Sequence, residues 1–218
     1  MEDQLISEIL DFKAPFLMEK LVKENIVETA EEGEALFFEL KRWFIFIHKD
    51  LTKNWEMYSL RIDEVWHQFI LYSGEYIKFC QRFFGSFIPH SPSNAPKISA
   101  ESAVKNGSLE EFTRRYEEMF GVPISKLWFD AESVTDNRRV VNYFNGKLSY
   151  TLTGEIVNLL DSNGDVLLST DRIAESAIRF MINMPAFYVR ELPGELTKEE
   201  RIGLVQTLVE FNVLRAGY

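Results

Sequence analysis

The spacing of apolar residues changes in character along this chain, and that change limits what it can fold into. Up to about residue 130 the hydrophobic side chains recur at helical intervals, whereas after Asp136 strand-like alternation enters and is mixed with helical stretches. This predicts a mainly α protein: a helical N-terminal domain over 1–130, then a small α+β domain over 137–218.

In the first part, "APFLMEKLVKEN" places Pro15 at a helix start, and "TAEEGEALFFELKRWFIFIHKD" opens with Thr29 and Glu32 in capping-box spacing. From Leu36 to Ile47 that second segment is almost wholly apolar, which predicts a helix buried on more than one side. His48 is a boundary residue at its end. Two short helices at about 60–72 and 74–84 follow, then a proline-bearing loop at 86–98. A further helix over 108–121 has Ser108 and Glu111 as its capping box and Gly121 as its stop.

In the second part, "RRVVNYFNGKLSYTLT" predicts a β-hairpin over 139–152 around Asn145-Gly146, with Tyr143 opposite Leu148 and Val141 opposite Tyr150. A second Asn-Gly at 163–164 allows either another hairpin or a short helix followed by a strand. Helix, extended piece, helix capped by Thr197 and Glu200, and final strand then follow in the order of a winged-helix-like module.

Eighteen Phe in 218 residues predict aromatic-rich cores and exclude a disordered chain. The formal charge of −10 shows no basic surface able to track phosphates, so nucleic acid is not an expected partner. Such an acidic chain suits a protein or peptide partner better. Cys80 is the single cysteine, so no internal disulfide forms. The apolar run "WFIFI" is too short for a membrane span, and the acidic start "MEDQLISEILDF" is unlike a signal peptide; a cytoplasmic protein is expected.

The segment "DEVWHQFI" holds the most chemistry. On a helix, Ile62, Val65, Trp66, Phe69 and Ile70 form one apolar stripe, with His67 at its edge. Asp63 and Glu64 lie four and three residues before His67, so both carboxylates can reach the imidazole. Glu64-x-x-His67 is half of a di-iron carboxylate motif, but three histidines in the whole chain exclude a second copy. His48 and His90 could join His67 at a mononuclear site, although no spacing enforces it. The favoured reading is a hydrogen-bonded structural histidine. Cys80 shares a stripe with Tyr76, Phe79 and Phe83 and reads as core. His90, between prolines in "FIPHSP", reads as a loop residue able to contact a partner. "DSNGD" lacks the glycine and distal glutamate of a calcium loop and reads as a turn.

The run "IDEVWHQFIL…Y…FC…FGSFIPH" resembles the glycine-rich domain-containing protein-like family of plant and bacterial proteins, through Asp63, Trp66, His67, Leu71, Tyr76, Cys80, Phe84 and Gly85. The later "YEEMFGVPISKLWF" extends the similarity to about 59–130. Plant members often carry a second histidine two positions after the first, where this chain has Phe69. The resemblance implies a helical domain and brings no activity with it.

Two functions are therefore expected to compete. The first is a non-enzymatic binding or adaptor protein without a cofactor, such as an accessory subunit of a modifying enzyme. Its partner-binding residues would be drawn from Asp63, Trp66, His67, His90, Tyr143 and Tyr150. The second is a metal-dependent protein or enzyme using His67 with Asp63 or Glu64, and His90 as a third group.

Overall fold

The computed structural model describes residues 3–90 and 105–217, so residues 91–98 of the expected loop lie outside the described residues. The chain is mainly helical, with small antiparallel sheets in its C-terminal part. It divides into two compact units, Met1–Lys23 with Thr29–Trp128 and Glu24–Glu28 with Phe129–Tyr218. No helix among the described residues is long and apolar enough to cross a membrane.

The first unit is built on its longest helix. In chain order it contains α1 (Asp3–Asp11), α2 (Pro15–Lys23), α3 (Ala30–Lys49), α4 (Leu60–Leu71), α5 (Ser73–Phe84) and α6 (Leu109–Phe120). The apolar run predicted from Leu36 onward is buried on several faces of α3, because α1, α2 and α4 all pack against it. Phe44 meets Trp66 of α4 edge-on at 5.3 Å, and Phe46 meets Phe112 of α6 at 4.9 Å. Such tilted aromatic pairs add stabilisation beyond their buried area.

Two charged side chains are buried on this same helix, each with a different solution to desolvation. Glu39 accepts hydrogen bonds from Tyr116 (2.6 Å), Trp128 Nε1 (2.9 Å) and Arg42 (3.2 Å), so its charge is shared by three donors. Lys41 Nζ donates to the carbonyls of Leu10 and Phe12 at the end of α1, the second at 2.9 Å. Those carbonyls lack partners within α1, and a cation there also suits the helix dipole.

The expected helix ends are present in the first unit. Ser108 and Glu111 form a reciprocal capping box on α6, and Gly121 closes it with φ 66°. At α3, Thr29 accepts from the Glu32 N–H, but the Glu32 carboxylate pairs instead with buried Arg61 at 2.7 Å.

The second unit corrects one strand assignment. The expected hairpin over 139–152 does not form. Residues Arg139–Asn142 are β1, the middle strand of a sheet ordered β5-β1-β6, while Ser149–Thr153 are β2 in a second sheet, β2-β3-β4. Val140 lies opposite Phe187 of β5 (Ala186–Tyr188) and Ala216 of β6 (Leu214–Ala216). Tyr150 lies opposite Leu159 of β3 (Ile156–Leu160).

The reason is local. A type I′ hairpin turn needs positive φ at both central residues, and at Asn145-Gly146 only Gly146 has it, at 75°. The Asn142 side chain accepts from Phe144 N and donates to Met181 O, both at 2.9 Å, which turns the chain away before it can pair with itself. The second Asn-Gly does lie in a hairpin, joining β3 to β4 (Val166–Asp171). There Asp161 Oδ1 accepts from Asn163 N at 2.8 Å and Asp165 N at 2.9 Å, closing the loop.

Helix α7 (Glu175–Met181), β5, α8 (Lys198–Glu210) and β6 keep the helix, strand, helix, strand order of a winged-helix-like module. Thr197 and Glu200 cap α8 reciprocally, as expected. Val140, Val157, Leu159, Ile178, Phe187 and Leu208 are central to the unit's core. The short segment Glu24–Glu28 is tied to it through Glu28, which accepts from Thr135 at 2.6 Å and pairs with Arg138 at 3.3 Å.

Burial pushes the Lys41 amine down from 10.5 to about 8. Between those values the unfolded chain holds a proton that the folded chain has released, so folding gains stability as pH rises through that window. Urea midpoints of wild type and Lys41→Met should therefore diverge in favour of wild type between about pH 7 and about pH 10. A difference independent of pH would refute this account of Lys41.

Candidate metal centre

The site is assembled by α4 and the chain just beyond α5. Ser59 caps α4 by accepting from Ile62 N at 3.2 Å, and the predicted stripe of Ile62, Val65, Trp66 and Phe69 is buried. That orientation leaves Asp63, Glu64 and His67 along the opposite edge of the helix. Helix α5 ends at Gly85, whose φ of 74° reverses the chain.

The reversed chain is held against α4 by a relay of hydrogen bonds. Trp66 Nε1 donates to Tyr76 OH at 2.9 Å, and Tyr76 OH donates to the Ile88 carbonyl at 2.7 Å. Two residues later the His90 ring meets Trp66 edge-on at 4.2 Å, and its Nε2 lies 2.7 Å from Asp63 Oδ1. The His67 ring centroid is 4.4 Å from that of His90.

His67 Nδ1 stands 3.7 Å from both Asp63 Oδ2 and Glu64 Oε2, too far for a hydrogen bond. Asp63, His67 and His90 each offer one donor atom, and these atoms all lie within 4.8 Å of one another. Nitrogen and oxygen ligands about 2.1 Å from an ion lie about 3.0 Å apart at a right angle and about 3.4 Å apart at a tetrahedral angle. Asp63 Oδ1 is 2.7 Å from His90 and Oδ2 is 3.7 Å from His67, so the carboxylate stands between the two imidazoles, and the set as a whole, within 4.8 Å, is wider than a closed coordination shell. His90 and Asp63 are largely enclosed, with side chains 13% and 20% exposed, whereas His67 is 47% exposed. His67 is thus the outermost of the three, at the rim of the cluster.

Glu64 borders the cluster. Its Oε1 accepts from Gln68 Nε2 at 2.6 Å, while Oε2 faces His67. His48 is in the last turn of α3, its ring 5.4 Å from Phe84, and does not belong to the cluster. Cys80 is buried in the core, and burial pushes its thiol above the ordinary value, which disfavours a nucleophilic thiolate.

The two tyrosines are in the second unit and differ in setting. Tyr143 is exposed in the turn after β1, with the Arg215 guanidinium 4.2 Å from its ring centre. Tyr150 is on β2 and packs partly into the core. The juxtaposition of His90 with Asp63, across 27 residues, is the feature that sequence spacing missed. The Trp66–Tyr76–Ile88 relay holds the chain where His90 meets Asp63.

A protein-family model described as UCP032817-like matches residues 4–118, more than half of the chain, and the chain belongs to that family. The family is uncharacterised, and the match replaces the resemblance to glycine-rich domain-containing proteins. That resemblance covered about 59–130, whereas the family match runs from α1 into α6 of the first unit. No curated protein matches the chain.

Tyr76→Phe would leave the buried indole N–H of Trp66 without its acceptor and release the Ile88 carbonyl. A destabilisation of about 1–3 kcal/mol is expected in equilibrium urea unfolding. A change near zero would show that the relay does not hold this segment.

Proposed function

We propose that the chain is a metal-dependent protein that holds one divalent first-row transition ion on Asp63, His67 and His90. The observation that carries this reading is the convergence of three donor atoms from two separate segments within 4.8 Å. Two imidazoles and one carboxylate suit zinc, iron, copper or nickel better than magnesium or calcium, which favour all-oxygen sites. The surroundings also favour a cation: Asp63 and Glu64 bring two carboxylates to the site, and Trp66 and Tyr76 form a stiff apolar wall behind it.

The proposed ligands are positioned by the elements that carry them. Asp63 and His67 sit one turn apart on a capped helix, which fixes their separation. His90 is oriented by its edge-on contact with Trp66 and by the bonded carbonyl two residues earlier. Tyr143 and Tyr150, two of the residues expected to bind a partner, do not share a hairpin: Tyr143 follows β1 of one sheet and Tyr150 lies on β2 of the other.

Elemental analysis of untagged protein tests the proposal, together with calorimetric titration of the chelator-treated protein with zinc, iron(II), copper(II) and nickel. Close to one equivalent per chain is expected. His67→Ala, His90→Ala and Asp63→Asn should each weaken binding by roughly tenfold to a hundredfold or more while helical content is retained. Wild-type protein that neither retains nor takes up any of these ions would overturn the proposal.

A further inference from the structure

We infer that the ion keeps at least one coordination position open toward solvent, and that Glu64 stands beside it as an outer-sphere carboxylate. The open position would take water or a small anionic oxygen or nitrogen donor. This inference rests on the metal reading above and adds what that reading leaves open, whether the site is closed and structural or open and reactive.

The count of donors is the first reason. Structural zinc sites are closed by four protein ligands, whereas reactive sites have three and leave a position for water or substrate. Only three donors converge among the described residues, and Glu64 is not one of the mutually close set. Its other oxygen is engaged by Gln68 at 2.6 Å. Distance gives the second reason. Asp63 meets His90 at 2.7 Å as well as standing 3.7 Å from His67, whereas Glu64 borders the set on its His67 side, at 3.7 Å.

Exposure supplies the third reason and the direction of the opening. The inner wall is His90, 13% exposed and packed on Trp66, while the rim is His67, 47% exposed. An exchangeable ligand therefore arrives on the His67 side, where Glu64 lies. A divalent ion with one bound carboxylate and two neutral imidazoles carries a net charge of about +1, which attracts an anion. The nearby Glu64 charge opposes that anion and accepts a hydrogen bond from a neutral water.

Cobalt(II) substitution tests the inference, because the visible bands of cobalt report its ligands directly. Azide added to the wild-type cobalt protein should change the spectrum saturably. Glu64→Gln should retain one equivalent of cobalt and bind azide about fivefold or more tightly, since a repelling charge has been removed. Loss of cobalt in Glu64→Gln would make Glu64 a ligand and overturn the inference, as would a wild-type spectrum unaffected by azide. Both results would leave the metal reading intact. Failure of wild-type protein to bind cobalt at all would instead remove the metal reading and this inference with it.

Discussion

A buried indole N–H gains stability from an acceptor, and the arrangement of the helical unit around the site follows from the one that Trp66 finds. The acceptor is the hydroxyl of Tyr76 on the next helix, which in turn donates a hydrogen bond to the carbonyl of Ile88. One side chain thus sets the pairing of α4 with α5 and the path of the chain after Gly85. His90 reaches Asp63 because of that path. The aromatic wall and the polar cluster are therefore two sides of one device, in which the buried face of α4 dictates what assembles on its exposed edge.

The local parts of this fold were legible in the sequence. The capping boxes at Ser108 and Thr197 need only residues three apart, and both form. The box at Thr29 is half formed, because Glu32 has a stronger claim from Arg61, 29 residues away. A short-range signal is trustworthy until a buried charge elsewhere competes for the same group.

The two Asn-Gly pairs show the same limit in strands. Neither has the two left-handed residues of a type I′ turn, so the dipeptide alone does not decide. Residues Asp161 and Asn142 decide. The Asp161 carboxylate binds the N–H groups of its own loop and closes a hairpin, whereas Asn142 reaches out to Met181 and sends the chain to a second sheet. At the site, Asp63, Glu64 and His67 were legible as neighbours because the helix period places them. The contribution of His90 was not, because it depends on the bonded path from Gly85 to Ile88.

Glu39 and Lys41 help to separate structural polarity from functional polarity in this unit. Both are buried and occupied by named partners, as a group must be to persist in a low-dielectric core. Asp63 and His90 alone would fit that description, since their contact of 2.7 Å beside Trp66 is a complete structural pair. His67 does not fit it. The pair needs no third member, yet a second imidazole stands half exposed at the rim, 4.4 Å from the first and out of hydrogen-bond reach of either carboxylate. A helix edge free to turn that ring into water gains nothing structural by holding it there. In the proposed metal site a cation held by the two rings and Asp63 would give His67 the partner it otherwise lacks, and would make its position a requirement of the site.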